Sequence, residues 1–182
     1  MVPCEPAAGR LWPERPVTDR APGPTFDEAL LLIGRLNYTW TNTESLLVHI
    51  IAGLARTDKD TAVIIFLTLN TMRARVDLVE RLAKLDRTPA ADRTRILAAT
   101  RTLVRLSAPR NRYNHSLYAF DADSGNVRTI LMRIADRKDE IRMGQSTDLD
   151  AAAMQEIRDV IGELAELNRE VWSIIRDLGY PH

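Results

Sequence analysis

Over most of the chain the apolar positions recur in steps of three and four. Leu30, Ile33, Leu36, Trp40, Leu47, Ile51 and Leu54 form one such stripe and predict a long first helix over residues 25–56. Thr25-Phe26-Asp27-Glu28 opens it with capping-box spacing, in which a Thr hydroxyl and a Glu carboxylate satisfy each other's free backbone N–H groups. Asn37, Thr41 and Glu44 run along one flank of the stripe. Polar groups at such a boundary need partners, from a neighbouring helix or from a ligand. Thr57 and Asp58 are suited to cap a second helix over 57–86, with Ala62, Ile65, Leu69, Met72, Val76, Val79 and Ala83 on its core face. Thr88 before Pro89 starts a third, with Ile96, Thr100 and Leu103 on one side. Pro109 has no amide hydrogen to give the helix ladder, so the third helix is expected to stop there and a short new segment to cover 110–116.

The period then changes from helical to alternating. Residues 117–120 and 127–134 have strand composition, and Asp123-Ser124-Gly125-Asn126 between them is turn chemistry, which predicts a hairpin. From 149 to 178 the helical period returns, with Ile157, Val160, Leu164, Leu167, Val171, Ile174 and Leu178 in a three-four seam. Packing within the chain is the expected use of that seam, a dimer stripe the rival. The fold class is therefore mainly α, a helical bundle of four to five helices with a β-hairpin inserted before the last long helix. Six of the 9 prolines lie in residues 1–24, which read as a disordered Pro-rich tail ahead of a single domain over 25–182.

Composition narrows the function classes. The 182 residues carry 25 Lys plus Arg against 25 Asp plus Glu, which argues against a uniformly basic nucleic-acid coat. Charge is nonetheless unevenly shared: residues 73–112 are strongly basic and residues 139–177 strongly acidic. These are either mutually attractive helices or, around Arg110, a strip that recognises phosphate. No apolar run reaches membrane-spanning length, no secretory leader is apparent and the single Cys, Cys4, cannot form an internal disulfide, so a cytoplasmic protein without membrane attachment is expected.

The chain has no Gly-rich phosphate loop, no closely spaced Cys or His pair and no nucleophile elbow, so neither a cofactor nor a metal site is expected. His49 falls opposite the apolar stripe of the first helix and reads as an exposed bystander. One cluster remains: Pro109-Arg110-Asn111-Arg112-Tyr113-Asn114-His115-Ser116. If a helix begins at Pro109, its free N–H groups favour anions. Arg offers a forked donor to phosphate, and His exchanges protons near neutral pH. Those are the parts for cleaving an RNA phosphodiester, where the 2′-hydroxyl is an internal nucleophile. On a regular helix, Arg110 and His115 stand about 140° apart, whereas Asn111 and His115 share a face. Arg and His therefore converge only if the helix unwinds or if two copies of the motif meet.

An Arg, a polar residue after it that is often Asn, and a His four to six residues beyond the Arg, in a helical chain of this size, resembles the HEPN family. The resemblance covers residues 25–178 loosely and Arg110 to His115 specifically. It implies a helical bundle, commonly a homodimer, and a metal-independent endoribonuclease leaving 2′,3′-cyclic phosphate ends, in toxin–antitoxin, defence or RNA-processing systems. It also implies RNA as substrate and an antitoxin-type protein partner. By position Arg110, Asn111 and His115 carry the catalytic roles, with His115 in proton transfer and Arg110 on phosphate. Arg112, Tyr113, Asn114, Asn37 and Glu44 are the candidate substrate contacts, the last two as a second wall from the first helix. The alternative is a non-catalytic HEPN-like helical module that binds a nucleotide, a nucleic acid or a protein partner. A third reading, a dimerising scaffold, requires an exposed stripe along Ile157, Leu164 and Val171.

Overall fold

The structure, a computed structural model, describes residues 25–120, 127–137 and 140–182. The expected tail, 1–24, and the hairpin turn, 123–126, lie outside the described residues. Helix α1 (Phe26–Ser45) begins with the capping box at Thr25, whose hydroxyl accepts the Glu28 N–H while the Glu28 carboxylate accepts the Thr25 N–H. It meets α2 (Leu47–Ala55) at a bend, where one helix over 25–56 was expected. The reason is hydroxyl competition. Thr39, Thr43 and Ser45 donate back to the carbonyls of Arg35, Thr39 and Asn42, and the Leu46 N–H tightens onto Thr43.

The expected second helix is likewise two, α3 (Lys59–Thr68) and α4 (Met72–Ala83). Asp58 caps α3 as predicted, but Leu69 turns extended and the Thr71 hydroxyl accepts the Ala74 N–H, which starts α4 afresh. Helix α5 (Ala90–Asn114) corrects the sequence reading in the other direction, because Pro109 lies inside it. A proline in a helix interior costs about 3 kcal/mol. Tertiary contacts hold this end of α5: Leu106 and Tyr113 are buried, and the Tyr113 hydroxyl donates to Glu156. Residues 110–116 are therefore the end of a long helix and its exit, not a new helix start.

The chain then forms a three-stranded antiparallel sheet in the order β1-β2-β3, with β1 (Ser116–Phe120), β2 (Val127–Arg137) and β3 (Glu140–Asp148). The predicted hairpin is β1 and β2, in register from Ser116 opposite Leu131 to Phe120 opposite Val127. The third strand was not anticipated. Its pairing carries an irregularity between Leu131 and Ile134, where Gly144 takes the φ of 65° that glycine adopts freely. The Tyr118 hydroxyl donates to the Tyr113 carbonyl and Phe120 meets Phe26, so β1 is fastened to the end of α5 and the start of α1.

Helix α6 (Ala151–Asp177), capped by Asp150, closes the bundle against α1 and α5. Counting α1 and α2 as one bent helix, the bundle has five. Ile157, Val160, Leu164, Leu167, Val171 and Ile174 are all buried within the chain. The seam is thus intramolecular, and the scaffold reading that needed it exposed is overturned. Each such side chain contributes about 1.5–3 kcal/mol of hydrophobic stabilisation. Among the described residues no helix is long and apolar enough to cross a membrane.

Candidate functional site

The polar flank of α1 faces the end of α5, and α4 supplies a third wall. Glu44 is its centre. One carboxylate oxygen accepts the Trp40 indole N–H at 2.9 Å, and the other accepts Arg75 Nη1 at 2.8 Å. Arg75 is itself fixed, since its Nε donates to the carbonyls of Phe66 and Leu69 at the end of α3 and its guanidinium lies 3.9 Å from the Phe66 ring centre. Glu44 and Arg75 are 13% and 18% exposed, so this is a largely desolvated pair.

Arg110 comes to the same place from α5. Its guanidinium carbon is 5.4 Å from the Trp40 ring centre, and Nη1 donates to Asn111 Oδ1 at 3.0 Å. Burial pushes the Arg110 pKa below its ordinary value, against the opposing pull of the Glu44 charge. The Glu44 charge is thus paired with Arg75 and felt at longer range by Arg110. Two buried polar atoms here have no partner, the donor Arg110 Nε and the acceptor Asn37 Oδ1; the Asn37 amide nitrogen donates to the Ile33 carbonyl. Such groups are costly to leave unmade.

His115 stands at the C-terminal cap of α5, exposed, with its backbone N–H on the Asn111 carbonyl. Among the described residues its imidazole makes no hydrogen bond within the chain. The other two histidines are engaged: His49 Nδ1 lies 2.8 Å from the Pro181 carbonyl with its ring against Trp172, and His182 Nδ1 lies 3.0 Å from the Tyr180 carbonyl. His49 is thus half-buried and tied down, not the bystander its helical angle suggested. Asn111 and Asn114 are exposed beside His115.

The remaining candidates serve another purpose. Arg112 donates to both Glu156 oxygens at 3.2 Å, and Tyr113 is 3% exposed with its hydroxyl on the same carboxylate, so both brace α5 to α6 rather than meet Arg110. Burial and the Glu156 charge push the Tyr113 phenol up to about 12. Arg95 pairs with Glu170 and Asp177, and Arg105 with Glu163. Part of the charge asymmetry in the sequence therefore binds α5 to α6. The anion-binding helix start expected at Pro109 is a helix C-terminus instead, whose dipole has the opposite sign, so the electrostatic pull on phosphate has to come from side chains.

Because α5 stays regular through Asn114, Arg110 and His115 diverge within one chain. Sequence reasoning missed Trp40 and Arg75. The spacing of Trp40 and Glu44, four apart, could have exposed the first, but Arg75 depends on the turn at 69–71. Among the described residues no three His, Cys, Asp or Glu side chains converge as a metal-ligand set. Compared with protein-family models, curated proteins and solved structures, the chain matches none.

Proposed function

We propose that the protein is a metal-independent endoribonuclease of HEPN type, acting as a homodimer in which the ends of two α5 helices meet. His115 takes the 2′-hydroxyl proton, the 2′ oxygen attacks the adjacent phosphorus, and the bond to the 5′ oxygen breaks. A 2′,3′-cyclic phosphate and a 5′-hydroxyl result, the leaving oxygen taking its proton from water and the imidazolium then returning the 2′ proton to the hydroxide. Arg110 of the second copy holds the non-bridging oxygens through its guanidinium. Asn111 orients the guanidinium through its side-chain carbonyl. The dimer follows from the divergence of Arg110 and His115 on a regular helix. The observation that carries the reading is a half-buried guanidinium, Arg110, five residues before an exposed imidazole without a partner at the end of α5.

A toxin or defence role in the cytoplasm, with an antitoxin-type partner, is what the family resemblance adds. A second reading has its own observation: with Arg95, Arg105 and Arg112 paired to α6, part of the basic strip is already spent. A non-catalytic module would then use Arg110 as a clamp for one phosphate of a nucleotide or nucleic acid. RNA cleavage by purified protein in EDTA tests between them. The nuclease reading expects His115→Ala to lose at least about a hundredfold in rate with its melting temperature unchanged; equal rates would discard it.

A further inference from the structure

At the other end of α5, roughly 35 Å from His115 by the rise of a 25-residue helix, a cleft of ≈ 220 Å³ opens between the exit of α2, the start of α5 and the residues after α6. Arg56 closes α2 there in the left-handed conformation, φ 55° and ψ 46°, and is the only non-glycine residue with positive φ among those described. Glycine is the usual residue at such a cap, so an Arg here needs a reason outside backbone geometry. Its guanidinium makes no ion pair among the described residues. Arg87 also lines the cleft, with one nitrogen, Nη2, held by the Leu54 carbonyl at 2.6 Å and the rest of its fork unengaged.

Thr88 lies between these arginines and α5. The residue is only 8% exposed and lines the cleft, and among the described residues its hydroxyl has no hydrogen-bond partner and is left open to the cleft. Pro89, the N-cap of α5, has no side-chain acceptor, so the first-turn N–H groups receive no side-chain cap. The Asp92 carboxylate, in the first turn of α5, and the Tyr180 ring also line the cleft. The lining thus has two guanidiniums, one carboxylate, a hydroxyl open to the cleft on an otherwise buried residue, and an aromatic face.

We infer that this cleft binds a small phosphate monoester, the phosphate on Arg56, Arg87 and Thr88, and the organic part against Tyr180 and Asp92. Asp92 selects an organic part with hydroxyl or amino hydrogens to donate, as a nucleoside has. The inference does not depend on RNA cleavage at the far end of the helix.

Calorimetric titration of the full chain with adenosine 5′-monophosphate and, separately, inorganic phosphate tests it. The nucleotide is expected to bind at millimolar concentration or below, and more tightly than inorganic phosphate. Arg56→Gly suits the left-handed backbone and keeps the fold, and Thr88→Val keeps the shape; each is expected to weaken nucleotide binding about tenfold with no loss of melting temperature. His115→Ala is expected to bind as the parent does. Absence of nucleotide binding, unchanged affinity in both cleft variants, equal affinity for inorganic phosphate, or loss of binding in His115→Ala would each overturn the inference.

Discussion

Removing Glu44 is the sharpest test of how the site is held together. Its carboxylate accepts from Arg75 and from Trp40, and it is the charge that opposes the desolvation of Arg110. Glu44→Ala leaves a part-buried guanidinium without its counter-ion and the Trp40 N–H without an acceptor. Hydrogen bonds to charged groups contribute about 1.5–3 kcal/mol each, and breaking a buried pair from one side costs about 3–5 kcal/mol. Because both residues keep some solvent contact, a loss of about 3 kcal/mol is expected. In a chain of this length that lowers the melting temperature by roughly 6–12 °C. Glu44→Gln keeps an acceptor for one partner but not the charge, so about half the loss is expected. Urea denaturation of the parent, both variants, Arg75→Ala and the double variant gives the coupling between Glu44 and Arg75 directly. A loss below about 1 kcal/mol for Glu44→Ala, or a double variant no more stable than simple addition of the singles predicts, refutes the placement of Glu44 as the electrostatic centre.

Arg110→Ala removes a desolvated cation with an unpartnered Nε and leaves Glu44 bound to Arg75 and Trp40, so a stability change within about 1 kcal/mol is expected alongside loss of cleavage; a large destabilisation with intact cleavage would make it a structural residue. The Tyr113 phenol has a folded pKa above its unfolded value, so its contribution to stability is complete below pH 10 and declines as pH rises towards about 12. Burial raises Tyr118 to about 12 as well, so chemical denaturation across that window should show a fall that Tyr113→Phe reduces in part; identical profiles in both proteins would contradict it. Gly53→Ala places a methyl 2.1 Å from the Tyr180 ring, so the ring must leave α2, at a cost of about 1–3 kcal/mol in thermal unfolding; parent-like stability would show that contact to be dispensable. Arg105→Ala breaks an exposed pair and should cost under about 1 kcal/mol, shrinking further in high salt.

The sequence disclosed what depends on neighbours three and four residues away. The Thr25 capping box, the Asp58 cap and the seam of α6 could all be read from side chains adjacent along one helix. The bends at Leu46 and at 69–71 could not, because they turn on competition by Thr39, Thr43 and Thr71 for backbone groups that a continuous helix would claim. Pro109 erred the other way, since a local rule was outweighed by contacts between Tyr113 and α6, 43 residues further on. The third strand escaped notice because its pairing, not its own composition, makes it a strand. At the site, Asn37 and Glu44 were visible as polar positions on an apolar flank. Arg75 was hidden by the same missed turn, and the inward course of Arg110 by the assumption that a new helix began beside it.

The central claim is tested most directly by the fragments themselves. A mixed transfer- and messenger-RNA pool is incubated in EDTA with the parent, with His115→Ala, with Arg110→Ala, and with the two variants unfolded together and refolded. The account predicts 2′,3′-cyclic phosphate ends from the parent, none from either variant alone, and partial recovery in the mixture, where one copy supplies Arg110 and the other His115. Cyclic ends from either single variant at the parent's rate, or no cleavage by the folded parent over a broad RNA panel, would contradict it.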